Sequence, residues 1–286
     1  MQPSLKDGSN VAKVVSALWM NDLLGWKKAS EKAQKSCIQL FGEPLAPNLS
    51  DVGNKASMRI AAAAYEMRGI PQTQIRAESL DDEARKKASG TALELAIESD
   101  LSNGLPIEDP HRQWSVSRGG NVSQFAQFTH LNDLQAILVD HPTLRATFAG
   151  DYQIQTDVWV GVPNSSDASK PQFLHAAISS KWTIRSDRVQ NVRHEFATLV
   201  RNRRGRCPHL VLVTAEPLPT RVLSIARGTG ELDAVYHLLY DELDAAVPRI
   251  CGENSRLGEQ QEAWNEMVSQ NRLRPYSRLV EDLVES

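Results

Sequence analysis

The chain is poor in cysteine: Cys37, Cys207 and Cys251 are odd in number, far apart and form no C-x-x-C pair. That spacing speaks against a disulfide framework and against a zinc site, and it fits a reducing cytoplasm. No apolar run approaches the roughly 20 residues of a membrane span. Met1-Gln-Pro-Ser-Leu-Lys-Asp7 has no signal-peptide h-region, so a protein without membrane attachment is expected. The histidines form no H-x-x-x-H pair, and Ser179 and Ser180 have no base adjacent in sequence. Gly228-Thr-Gly230 lacks the spacing of a dinucleotide-binding or Walker A loop, which argues against nucleotide binding. There is no internal repeat, low-complexity tract or linker.

What remains is the composition of an ordinary globular protein, 41% hydrophobic and 23% charged over 286 residues, enough to bury a sizeable core. The net charge of -3 argues weakly against a polyanionic partner, but the charge is unevenly placed. From Lys181 to Arg206 eight basic residues face only Asp187 and Glu195, whereas from Glu231 onward twelve acids face five arginines. A basic segment in an acidic chain marks a focused site rather than a general polyanion binder. The plainer alternative is the solvated face of an amphipathic helix.

The spacing predicts a helical first hundred residues: Val11 to Phe41 with a break at Gly25, Ala56 to Arg68, and a helix opened by Ser79 and Asp82 that runs to about Leu101. Gly42 to Gly53 and Ser102 to His111 read as loops, Gln113 to Arg118 as a short strand, and Gln124 to Val139 as a helix, with another short helix after Pro142. Tyr152 to Val162 and Phe173 to Ile184 read as strands, Arg188 to Arg201 as a helix, and Leu210 to Val213 as a buried central strand. Pro219 to Arg227, Leu232 to Ala246 and Glu259 to Asn271 complete the helices. The expectation is one α/β domain over residues 1–286, with a helical stretch over 11–88 and a core over 113–242.

Two residues on the adjacent strands carry the chemistry. Asp157 lies beside Val158 and Val160, where an ionised acid is costly without a partner. Lys181 lies 24 residues later, on the next expected strand. Together they can converge on a phosphodiester, the carboxylate holding a divalent cation and the lysine orienting water and balancing developing charge. An ordinary strand-edge acid and a snorkelling lysine are the competing explanation. Glu94 and Glu195 are further carboxylates at hand, although spacing alone leaves both as solvated helix residues. Arg185, Asp187 and Arg188 fall where a strand becomes a helix. Arginine pairs bidentately with guanine and aspartate accepts from cytosine, so the cluster predicts a G/C-rich DNA site; a salt-bridged helix cap is the alternative.

Ser179-Ser-Lys-Trp-Thr-Ile-Arg-Ser-Asp-Arg188, with Gln190, Asn191, Arg193 and Glu195, resembles the signature of the NgoMIV-type type II restriction endonucleases of the PD-(D/E)xK superfamily. The likeness continues through Leu199 to Arg203, Val213 to Pro217 and Gly228 to Glu231, and upstream through Thr156-Asp157 and Ser89-Gly90 with Glu94. The resemblance implies a restriction-endonuclease-like fold, a mixed central β-sheet flanked by helices. It further implies that Asp157, Glu94, Glu195 and the Ser180 carbonyl hold Mg2+, as a pair of ions, and that Lys181 is catalytic. Ser179 stands where the superfamily has an acid, which this branch supplies from Glu195.

By the same resemblance Arg185, Asp187 and Arg188 read a CCGG core, while Asp7 and Arg221 read the flanking G·C pair of GCCGGC, cut after the first G. The implied partners are double-stranded DNA, a second subunit in a homodimer or homotetramer, and a cognate DNA methyltransferase, in a prokaryotic cytoplasm. Two departures stand out: Thr156 replaces a proline, and the family's minor-groove glutamine is replaced near Lys87. A repair or junction nuclease that reads DNA shape, and a DNA-binding protein without catalysis, are the competing functions.

Overall fold

The computed structural model describes residues 19–76, 82–141, 143, 154–164, 167, 169–184, 186–228 and 230–286, with the side chains of 82–89 and 186–189 outside that description. Its centre is a mixed sheet of six strands in the order β3-β4-β5-β6-β7-β8. They are β3 (Ser115–Arg118), β4 (Val158–Val162), β5 (Phe173–Lys181), β6 (His209–Thr214), β7 (Ala234–His237) and β8 (Leu273–Pro275). β3, β4 and β5 pair antiparallel, whereas β5 through β8 run parallel. The inner strands are apolar on both faces: Leu174, Ala176, Ala177 and Ile178 on β5 and Leu210 to Val213 on β6 are all buried. Parallel strands covered by helices on both sides require such continuous runs.

The two parallel strands set the register that matters, with Lys181 beside Thr214 at their shared C-terminal end. On the other side the antiparallel pairing places Val158 opposite Ile178, which brings the residue before β4 to the same end of the sheet. Ligand sites in α/β sheets gather at this carboxyl edge.

Several expected boundaries move. The helix that begins at Asp82 continues to Glu108 through Gly104 and Pro106 rather than ending near Leu101. Leu101 and Leu105 are buried there, and a side chain at Gly104 would meet Val280 at 2.9 Å, so close packing against the Leu279–Val284 helix overrides weak local propensity. Residues 125–129 are not helical. Gln127 instead donates to the Leu174 carbonyl at 2.8 Å and accepts from its N–H at 2.9 Å, and the helix starts only at His130. Residues 234–237, expected as helix, form the buried strand β7, because a short apolar run does not distinguish the two by periodicity. Of the strand expected over Tyr152 to Val162, the described part is regular only from Val158, so Asp157 directly precedes β4. The expected helix after Pro142 lies outside the described residues.

The described part of 11–88 is only partly helical. Helices Glu31–Phe41 and Lys55–Arg68 flank a two-stranded antiparallel sheet of β1 (Trp26–Lys28) and β2 (Leu45–Pro47). Asn54 caps the second helix by accepting from the N–H groups of Ala56 and Ser57 at 2.9 and 3.1 Å, and Gly69 ends it at φ 75°. Met20, Leu24, Trp26 and Tyr65 belong to the same hydrophobic core as the central sheet. Among the described residues no helix is long and apolar enough to cross a membrane.

One buried acid in this layer has a thermodynamic consequence. Asp100 accepts from Trp19 Nε1 at 2.7 Å and from the Tyr276 hydroxyl at 3.2 Å. Burial pushes its carboxyl up to about 6 from the ordinary 3.8, against the two hydrogen bonds. A folded value above the unfolded one means stability that is complete below about pH 4 and is lost as pH rises through about 6. Asp100→Asn keeps an acceptor and carries no charge. It is expected to flatten thermal stability against pH in that window and to gain on the order of 2 kcal/mol relative to wild type at neutral pH. A variant that keeps the wild-type slope in thermal melts would contradict the assignment.

Candidate active site

At the carboxyl edge of the sheet, β5 ends in Ser179, Ser180 and Lys181, and the antiparallel neighbour begins just after Asp157. Alternation along the strand puts Ser179 and Lys181 on one face. Asp157 Oδ2 accepts from the Lys181 ammonium at 2.6 Å, from the Ser180 N–H at 2.7 Å and from the Ser179 hydroxyl at 3.2 Å. The pair is open on one side, with side chains 22% and 25% exposed for Lys181 and Asp157. The Ser180 and Thr156 hydroxyls are buried beside it and hydrogen-bond to nothing in the described structure.

Two helices bring the other acids to this pair. Glu195, on the Ser186–Asn202 helix, has its carboxyl pushed up to about 7 by burial and by the charge of Asp157, with Lys181 opposing. Glu94, on the Asp82–Glu108 helix, is also raised, first by burial and then by Asp157, while Arg118 and Lys181 pull it down. Both glutamates therefore sense the same aspartate and the same lysine, and the four groups form one electrostatic cluster. The structure also adds Arg118, at the end of β3, whose guanidinium lies 3.5 Å from Glu94 and donates to Glu98 at 3.1 Å. No sequence motif marked this arginine.

The donor set is one that suits a hard divalent cation. Burial and the charge of Asp157 raise both Glu94 and Glu195, so the acids of the site are electrostatically under-compensated, and oxygen donors are what Mg2+ prefers. Among the described residues no three His, Cys, Asp or Glu side chains close into a ready-made ligand cluster. In this arrangement Lys181 supplies the positive charge that Asp157 faces.

The reading residues divide. Asp7 and Arg185 lie outside the described residues, and Asp187 and Arg188 are placed only as backbone in the first turn of the Ser186–Asn202 helix. Arg221, on the Pro219–Ala226 helix, pairs with Asp51 at 2.6 Å and lies 3.8 Å from Glu216. Asp51 and Glu216 were both missed. Nothing local distinguishes Asp51, which precedes a helix cap 170 positions away in sequence from its partner. Glu216 had a signal: it directly follows the apolar run Leu210 to Val213 with only Thr214 and Ala215 between, a place where an acid needs a reason.

A mixed sheet with an acid and a lysine meeting where β4 begins and β5 ends, and further acids delivered by flanking helices, defines a restriction-endonuclease-like α/β protein. Residues 162–284 match the family model described as NgoMIV restriction enzyme. The chain is also 33% identical over 264 residues to the type II restriction enzyme NgoMIV of Neisseria gonorrhoeae, a match that covers 82% of this chain and 88% of that protein. The chain belongs to the NgoMIV restriction enzyme family, and it is a type II site-specific deoxyribonuclease. DNA is accordingly its substrate, and enzymes of this type generally work with a divalent metal ion.

Proposed function

We propose that the enzyme cleaves double-stranded DNA at GCCGGC, after the first G, leaving 5′ CCGG overhangs that carry 5′-phosphates. The observation that carries this reading is the contact between Lys181 Nζ and Asp157 Oδ2, at 2.6 Å, made at the end of the strand that runs directly into Arg185-Ser-Asp-Arg188. In it Asp157, Glu94, Glu195 and the Ser180 carbonyl hold Mg2+, as a pair of ions, which when bound supplies Lewis-acid stabilisation of the phosphate oxygens. Lys181 orients the attacking water and stabilises charge that develops on the phosphate. Ser179, in the position where the superfamily has an acid, donates to Asp157 and helps fix its carboxylate.

Arg185, Asp187 and Arg188 read the CCGG core through guanine and cytosine edges in the major groove. Arg221 reads the outer G·C pair. Asp7 reads the cytosine of that pair, and the ion pair of Arg221 with Asp51 makes Asp51 a further acceptor for it, since both sides of one base pair need readers that lie together. A palindrome is read by two copies related by a twofold axis, so the working unit is a homodimer or a homotetramer of such dimers. The reading takes residues 1–286 as one endonuclease domain, with 113–242 as its catalytic and DNA-reading part. It places the enzyme in a prokaryotic cytoplasm beside a cognate DNA methyltransferase.

Digestion of a mixed DNA with Mg2+, followed by sequencing of the ends, tests the target directly. The expected product is a population of ends with a CCGG overhang preceded by G. Ends with no common sequence, or cutting that proceeds equally in a chelator, would remove the proposal.

A further inference from the structure

We infer that Glu216 is a positioning residue that ties the inner and outer base readers to one another, so that engagement of the outer pair is felt at the segment that reads CCGG. This rests on the target reading proposed above. Glu216 is 1% exposed. One carboxylate oxygen accepts from the Ile184 N–H at 2.8 Å, and Ile184 is the residue immediately before Arg185. The other accepts from the Leu218 N–H at 3.1 Å, at the entry to the helix that carries Arg221. The same oxygen lies 3.8 Å from the Arg221 guanidinium. One side chain thus grips the chain ahead of both reading groups.

The chemistry requires an acceptor at both ends. A carboxylate offers only acceptors, so each of its oxygens can take one N–H; an amide would turn its own donors toward one of them. The backbone of Glu216 is itself pinned. Its carbonyl accepts from His237 Nε2 at 2.9 Å, and the Leu239 N–H donates to the other ring nitrogen at 3.0 Å, which sets the tautomer. Ala215 N–H donates to the Trp182 carbonyl at 3.3 Å, a second stitch between the loops that follow β5 and β6. Burial makes the ionised carboxylate costly; the Ile184 and Leu218 N–H groups offset part of that cost, and the Arg221 charge a further part.

The coupling follows from where Arg221 stands, between Asp51 and Glu216. When its guanidinium turns to a guanine edge, Glu216 loses part of the charge that keeps it ionised. A carboxylate drawn toward its protonated form is a weaker acceptor, and the Ile184 N–H is what it holds.

The test is a double-mutant cycle on wild type, Glu216→Gln, Arg221→Ala and the double variant, with single-turnover cutting of GCCGGC, ACCGGT and GCGCGC duplexes in Mg2+. Glu216→Gln is expected to reduce the GCCGGC to ACCGGT rate ratio by about tenfold, with a smaller change in the GCCGGC to GCGCGC ratio, and to add nothing once Arg221 is gone. Equal slowing on all three duplexes, or additive effects in the double variant, would reduce Glu216 to a structural staple and overturn the inference. A wild type that does not prefer GCCGGC to ACCGGT overturns the target reading and the inference with it. A wild type that does, paired with a Glu216→Gln enzyme of unchanged ratio, overturns the inference alone. If Glu216→Gln does not fold, Arg221→Ala decides: the Ile184 amide should exchange hydrogen about threefold faster than in wild type with Leu212 unaffected, and an unchanged Ile184 amide overturns the coupling.

Discussion

Lys181→Ala is expected to lower the single-turnover rate at GCCGGC by about 10^3-fold or more, the scale of removing a preorganised charge from a developing oxyanion, while specific binding persists. The ammonium is 2.6 Å from Asp157 and only partly exposed, so it is held in place before substrate arrives. Its removal leaves Asp157 still bonded to the Ser180 N–H and the Ser179 hydroxyl, and β5 still buried between β4 and β6. The fold should therefore survive. Both glutamates would lose a cation that holds their pKa down, which makes the acids of the site harder to ionise and compounds the loss. Binding of a labelled GCCGGC duplex, measured beside the cutting rate, separates the two effects. Wild-type turnover by the variant would withdraw the catalytic role from Lys181.

Arg188→Ala is expected to act on recognition instead. A bidentate arginine–guanine contact discriminates by about 1–3 kcal/mol, and a palindrome read by two subunits makes the contact twice, for a loss of roughly 2–6 kcal/mol, or about 30-fold to 10^4-fold in specific affinity. Non-specific affinity should fall far less, because it rests on summed phosphate contacts of which one is lost per subunit. Competition between a CCGG-containing duplex and a scrambled one of the same length, at fixed salt, reads this ratio directly. Unchanged discrimination would remove Arg188 from the set of base readers, and with it the argument that cutting and reading share one stretch of chain.

Parts of this design were legible in the order of residues. An acid within one apolar strand-like segment and a lysine on the next are exceptions to the burial rule, and exceptions draw attention to themselves. Asp157 and Lys181 were found on that ground, and the structure brings them into contact. Glu94 and Glu195 were not found that way. Helical glutamates are usually solvated, and only the likeness to a family singled them out before the cluster around Asp157 was seen. Asp51 and Arg118 stayed hidden because their partners, Arg221 and Glu94, lie in other elements, and nothing local encodes a long-range ion pair. The strands β7 and β8 were missed for a related reason. They are short, covered on both faces or at an edge, and carry no period long enough to separate strand from helix. Residues 125–129 read as helix because Gln127 fits a helix surface, whereas its amide is spent on the backbone of β5.

The β4–β5 hairpin has a polarity with evolutionary consequences. Asp157 and Lys181 close its open end, and the connection over residues 163–172 closes the other, about 17 Å away along five residues of β4. Between them the pairing carries one register shift, at Val160 and Gly161. A change of one residue in register near the acids would send every side chain to the opposite face. A change in the length of the connection falls at the end of the hairpin farthest from them. Relatives can therefore lengthen, shorten or decorate this turn without retuning the cut, and an engineer who wants to insert a reporter domain or open new chain ends should begin there.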